Sequence, residues 1–132
     1  MDNTASSSAP RLFRIILPAS DIDRAAEFYG AVLGIPGERV APNRHYLDCG
    51  GTILACVDPR PGGREVTPNP EHIFFAVSDI DTVYERARQA GCRQIDDGVR
   101  AQHWGERAFF AVDPSGNPIC FVDERTRYTG GR

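Results

Sequence analysis

The chain contains no lysine: its 15 basic residues are all arginine, set against 18 carboxylates, for a net charge of −3 with histidine neutral. No half of it is strongly basic, which argues against nucleic-acid binding. It also lacks any run near the ~18 consecutive apolar residues of a membrane span. The first ten residues are polar and Ser-rich, without a hydrophobic signal core. There is no CxxC pair among Cys49, Cys56, Cys92 and Cys120 and no secretory context, so reduced thiols are expected rather than disulfides. A GxSxG elbow, a phosphate-binding loop and an HExxH helix are all missing. The expectation is a soluble, cytoplasmic protein without nucleic-acid or membrane partners.

What is present suffices for one domain. The chain has 132 residues, 41% of them hydrophobic, within the roughly 100 to 200 residues typical of a single core. Leu12 to Leu17 reads as a strand with Leu12, Arg14 and Ile16 on one face. Ser20 is placed to cap a helix carrying Ile22, Ala25, Ala26, Tyr29, Val32 and Leu33 at helical spacing, which Gly34 and Pro36 stop. His45 to Cys49 and Thr52 to Val57 flank Gly50 and Gly51 as a hairpin. Four prolines and two adjacent glycines between Asp58 and Pro70 mark a connector. The pattern then restarts: His72 to Val77 as a strand, Ser78 to Ala90 as a capped helix, then strands at Arg93 to Ile95, Ala108 to Val112 and Pro118 to Val122.

The restart is an internal repeat. At an offset of 58, Ser20, Asp21, Ile22, Asp23 and Glu27 fall on Ser78, Asp79, Ile80, Asp81 and Glu85. At an offset of 65, Asp48, Gly51, Val57, Asp58 and Arg60 fall on Asp113, Gly116, Val122, Asp123 and Arg125. The change of offset places an insertion in the second copy around Asp96 to Gly105. Each copy reads as strand, helix, then about three strands.

The stretch Ser20 to Tyr29 followed by Val32-Leu33-Gly34, the stretch His72 to Ile80, and Trp104-Gly105-Glu106-Arg107 leading to Asp113-Pro114-Ser115-Gly116-Asn117-Pro118 resemble the vicinal oxygen chelate superfamily of glyoxalases, bleomycin-resistance proteins and extradiol dioxygenases. The resemblance covers about residues 11 to 124. It implies an α+β fold of two tandem βαβββ modules, about 11–58 and 71–124, joined by a linker at 59–70 and forming a cup-shaped mixed sheet. Residues 1–10 are expected to be disordered and 125–132 to form a peripheral tail. Relatives are commonly dimeric, so a homodimer is expected.

In metal-dependent relatives, ligands project into the cup from the first and last strands of each module. By motif those positions are Arg14, Ala55, His72 and Cys120, and the repeat pairs them in the same way. Arg14 offers five donors and no acceptor, and Ala55 offers no ligating atom. No cofactor is therefore expected, the alternative being zinc, nickel, manganese or iron on a rearranged set that includes His72 and Cys120. The preferred function is a metal-independent binding protein holding an anionic or aromatic small molecule. The alternative is a lyase, isomerase or dioxygenase, using His72 as acid or base or a rearranged metal site. A purely structural or regulatory dimer, its cavity filled by side chains, is the third possibility.

Each residue carries its own alternatives. Arg14 either grips an anion through its two-pronged guanidinium or pairs with a neighbouring carboxylate such as Glu124. His72 is either an acid or base, with an ordinary pKa of ~6.5, or a cavity wall. Cys120 is a nucleophile only where Arg14 or a protonated His72 lowers its pKa, and is otherwise packing. Trp104, the single tryptophan, either caps the cavity and stacks on a planar ligand or forms a rim or dimer contact. His45 and Tyr46 are expected to line the opposite side of the cavity.

Overall fold

In the computed structural model, which describes residues 9–130, the repeat becomes two modules packed back to back, βαβββ in the first and βαββββ in the second, which carries one extra two-residue strand. The disorder expected of residues 1–10 concerns positions that, through Ser8, lie outside the described range. Module 1 comprises β1 (Arg14–Pro18), α1 (Ile22–Leu33), β2 (Glu38–Ala41), β3 (Arg44–Cys49) and β4 (Thr52–Val57). Module 2 comprises β5 (Ile73–Val77), α2 (Ile80–Ala90), β6 (Gln94–Ile95), β7 (Arg100–Ala101), β8 (Arg107–Val112) and β9 (Pro118–Asp123). Between β4 and β5 the proline-rich connector holds only a single 3-10 turn, Arg60–Gly62. Among the described residues no helix is long and apolar enough to cross a membrane.

Each module makes its own mixed sheet, in the orders β1-β4-β3-β2 and β5-β9-β8-β6, with β7 pairing β8. The outermost strands β1 and β5 pair in parallel with β4 and β9, and the hairpins are antiparallel. One edge of β1 and one of β5 are left without a strand partner among the described residues.

Both helices start one residue later than a Ser cap would place them. Asp21 accepts the backbone N–H of Arg24 and Asp79 that of Thr82, so the carboxylates serve as caps and Ser20 and Ser78 precede them. Gly34 and Gly91, at φ of 74° and 93°, end the helices in the left-handed region that glycine enters without strain.

One core joins the modules. Leu17, Leu47, Leu54 and Cys56 from the first sheet, Phe75, Phe109, Ile119 and Phe121 from the second, and Phe28, Val32, Val83 and Ala87 from the helices form a single buried cluster. The sheet faces carrying these residues turn inward onto the helices. By strict alternation the other face of each sheet turns outward, away from the other module.

The repeat is visible in chemistry as well as topology. Asp58 accepts from Arg60 N, Nε and Nη2 at 3.0, 2.9 and 2.8 Å. Asp123 accepts from the same three atoms of Arg125 at 3.0, 3.2 and 3.0 Å. The Asp48 and Asp113 correspondence is only sequential: Asp48 is exposed and Asp113 is 2% exposed within a polar knot with Tyr29 and Asn117.

Candidate functional site

The outward faces carry most of the residues singled out from the sequence. On module 1 the register aligns Ile16, Ala55, Tyr46 and Glu38 across four strands, with Arg14 two residues before Ile16 on the same face. Ala55 projects only a methyl group, and the Arg14 side chain reaches across to Tyr46. Its guanidinium carbon lies 5.1 Å from the Tyr46 ring centroid and 4.9 Å from that of Phe13. Among the described residues Arg14 forms no ion pair, and Glu124 engages Val77 and Arg127 through its backbone instead. Arg44 Nη1 donates to the Tyr46 hydroxyl oxygen at 2.8 Å. A concavity of about 440 Å³ lies beside these residues, floored by Ile16 and Val57 and walled by Pro59, Arg64 and Thr67 of the connector.

On module 2 the corresponding row is Phe74, Cys120 and Phe110. His72 meets Phe110 edge-on with centroids 4.9 Å apart and lies 6.3 Å from Phe74. Trp104 lies 6.5 Å from Phe110 and donates its indole N–H to Glu106 at 2.9 Å. Trp104 is 45% exposed, at the rim of this aromatic surface. Cys120 lies beneath it, fully buried, with its thiol pushed up to about 12 by burial and then by the negative charges of Glu106 and Asp96. Neither Arg14 nor His72 lowers it, so the condition for a nucleophilic Cys120 is not met.

The sequence reading is corrected in two respects. First, Arg14 and His72 occupy outward faces of two different sheets, so one chain does not bring them into one cavity. A groove of about 890 Å³ runs along β5 and is lined by His72 and Phe74 together with Leu12, Ile15 and Arg86, but not by Arg14. Second, His45 points inward. It is cross-strand partner to the core residue Cys56 and is buried. Its Nε2 lies 2.9 Å from the Pro36 carbonyl, which only accepts, so Nε2 carries the proton. Its buried Nδ1 has no hydrogen-bond partner among the described residues.

The misplacement of His45 has a simple origin. An offset of 65 matches β4 to β9 but puts His45 on Phe110, whereas the strand pairings make Tyr46 the equivalent of Phe110, an offset of 64. The hairpin Asp113–Asn117 is longer than Gly50–Gly51 by an odd number of residues, and a one-residue change of register turns every side chain to the other face. Tyr46 and Arg44 are thus the site residues that sequence reasoning underweighted. The usable signal was their alternation with His45.

The donor set does not suit the divalent metal of metal-dependent relatives. Arg14 and Ala55 supply no lone pair, Cys120 is buried as the neutral thiol, and no three His, Cys, Asp or Glu side chains among the described residues gather at metal-binding distance.

A family model described as "Glyoxalase/Bleomycin resistance protein/Dioxygenase superfamily" matches residues 11–121. A glyoxalase/bleomycin resistance protein/dioxygenase from Alicyclobacillus acidocaldarius is 31% identical, with TM-score 0.64, over 89% of this chain and 96% of that one. A glyoxalase-related enzyme from Fulvimarina pelagi is 21% identical with TM-score 0.75, covering 93% and 94%. A lactoylglutathione lyase from Agrobacterium tumefaciens is 22% identical with TM-score 0.67, covering 88% and 95%. The chain matches none of the curated proteins.

Proposed function

The chain belongs to the Glyoxalase/Bleomycin resistance protein/Dioxygenase superfamily, and from that premise we propose that it is a metal-independent binding protein for a small anionic molecule bearing an aromatic group. The observation that carries this reading is Arg14. Its charge sits on an outward sheet face, set over two aromatic rings, without a carboxylate partner among the described residues. A guanidinium in that setting retains its N–H donors for a ligand. The aromatic surface of His72, Phe74, Phe110 and Trp104 suits the apolar part of the same ligand.

The proposal includes a homodimer. β1 and β5 each present an edge without a strand partner among the described residues, and Leu12, Phe13, Ile16 and Phe74 are exposed beside them, a combination that natural sheets cover. Pairing β1 of one protomer with β5 of its partner would join the Arg14 face to the aromatic face as one cup. Light scattering is expected to give twice the 14.5 kDa chain mass. A monomer mass at micromolar concentration would remove the shared cup.

Ligand binding is tested with benzoate as probe and benzyl alcohol as its uncharged counterpart. Benzoate is expected to bind saturably in an NMR titration, and Arg14→Gln to weaken it about tenfold or more, the worth of a charge-assisted hydrogen bond. Benzyl alcohol should be indifferent to the substitution. Equal benzoate binding by the wild type and Arg14→Gln would refute the proposal.

A further inference from the structure

Tyr46 stands between two arginines, and the two contacts differ in kind. Arg14 lies over its ring, while Arg44 Nη1 donates to its hydroxyl oxygen at 2.8 Å. A phenol that accepts through its oxygen still has its own proton to give. No acceptor for that proton is found among the described residues, although the side chain is half-buried and on the same outward face as Arg14. Arg44 likewise forms no ion pair with a carboxylate among the described residues, and its side chain donates to the phenol. The donated bond fixes where the oxygen sits, and polarisation by a cation strengthens the O–H as a donor. Ala55 lies between Arg14 and Tyr46 in the sheet and leaves the space through which both reach.

We propose that Tyr46 is the second recognition group of this site: its hydroxyl donates to one oxygen of a ligand carboxylate whose other oxygen is held by the Arg14 guanidinium, and Arg44 is a positioning residue acting through Tyr46. This deepens the anion-binding reading and rests on it. The ligand class is thereby narrowed to planar carboxylates. The Arg14 guanidinium, 5.1 Å from the Tyr46 ring centroid, and the Tyr46 hydroxyl each offer a donor, one for each oxygen of a carboxylate. The same geometry gives the protein a means of rejecting esters and amides of the acid, which lack the second anionic oxygen for the phenol to donate to.

The experiment is a benzoate titration of the wild type, Tyr46→Phe, Arg44→Met, the double variant and Arg14→Gln, with thermal melts confirming that each is folded. Tyr46→Phe keeps the ring beneath Arg14 and removes only the hydroxyl. It is expected to weaken benzoate binding about three- to tenfold. Arg44→Met is expected to weaken it by less, and to have no effect in the Tyr46→Phe background, because its action passes through the hydroxyl. Full additivity of the two losses would mean that Arg44 meets the ligand directly and would overturn its positioning role. Wild-type affinity in Tyr46→Phe, with binding still lost in Arg14→Gln, would overturn the assignment of Tyr46 while leaving the anion reading intact. Benzoate binding that is absent, or unaffected by Arg14→Gln, would bring down that reading and this inference with it.

Discussion

Asp113→Ala is expected to destabilise the protein by about 3–5 kcal/mol, a large part of the ~5–15 kcal/mol typical of a domain. The carboxylate is buried and accepts four hydrogen bonds: Tyr29 Oη at 2.7 Å, Ser115 N at 2.9 Å, Asn117 N at 2.8 Å and Asn117 Nδ2 at 3.0 Å. Asn117 continues the knot by donating to the Pro18 carbonyl and by accepting the backbone N–H of Asn69 in the connector. Asp113 and Asn117 together thus tie α1, the β8–β9 hairpin, the end of β1 and the linker. Alanine leaves the Tyr29 hydroxyl and the Ser115 and Asn117 backbone N–H groups buried without this acceptor, while Asn117 Nδ2 keeps the Pro18 carbonyl, and each lost partner costs about 1–3 kcal/mol where relaxation cannot rescue it. Burial and the Asp113 charge both raise the Tyr29 pKa well above its usual value, so the phenol remains a donor throughout the ordinary pH range. Tyr29→Phe, which removes one of the four bonds, should cost about 1–2 kcal/mol. Urea denaturation measures both. A loss below about 1 kcal/mol for Asp113→Ala would show that the modules are held by their shared core alone.

The second large effect concerns thiol chemistry. At pH 7 a thiol pushed up to about 12, as in Cys120 and Cys56, contains on the order of a thousandfold less thiolate than one at the ordinary value of 9.0. Both side chains are also fully buried. Iodoacetamide followed by mass spectrometry is expected to modify the half-exposed Cys49 first and to leave Cys56 and Cys120 intact until the protein unfolds. Rapid labelling of native Cys120 at neutral pH would restore it as a candidate nucleophile. The same shifts predict a pH dependence of stability. In the unfolded chain these thiols ionise near 9, whereas in the folded chain they hold their protons to about 12, and Cys92 to about 11. The stabilisation is therefore complete below about pH 9 and is lost as the pH climbs from there toward the folded values. Urea midpoints should fall across that alkaline range, and fall less in a Cys56→Ala, Cys92→Ala background.

Much of the fold was legible because the chain writes it twice. The Ser-Asp-Ile-Asp helix starts, the terminal glycines and the paired Val-Asp-x-Arg segments at 57–60 and 122–125 state the module boundaries in residues that have one local role each. The short strand β2 was not legible, since Glu38–Ala41 carries no alternating apolar pattern and is held by pairing with β3. β7, two residues long inside the expected insertion, has the same origin in its pairing with β8. In the site, Arg14, Ala55, His72 and Cys120 were placed on outward rows by a repeat whose offsets hold along β1, β4, β5 and β9. The reading failed for His45 along β3, where hairpin lengths of different parity reversed the face.

The sequence by itself determined two repeats of a βαβββ-type module, their core periodicity, and the presence of an arginine and an alanine at positions 14 and 55, because each of these depends on local propensity or on the identity of single residues. Only the tertiary structure decided that the Arg14 and His72 faces turn away from each other, that His45 lies in the core while Tyr46 faces outward, and that Cys120 is sealed beneath aromatic rings. Those outcomes depend on strand register and on which sheet face packs against the helices. Both are set by hairpin parity and by contacts between residues far apart in the chain, which local sequence does not encode.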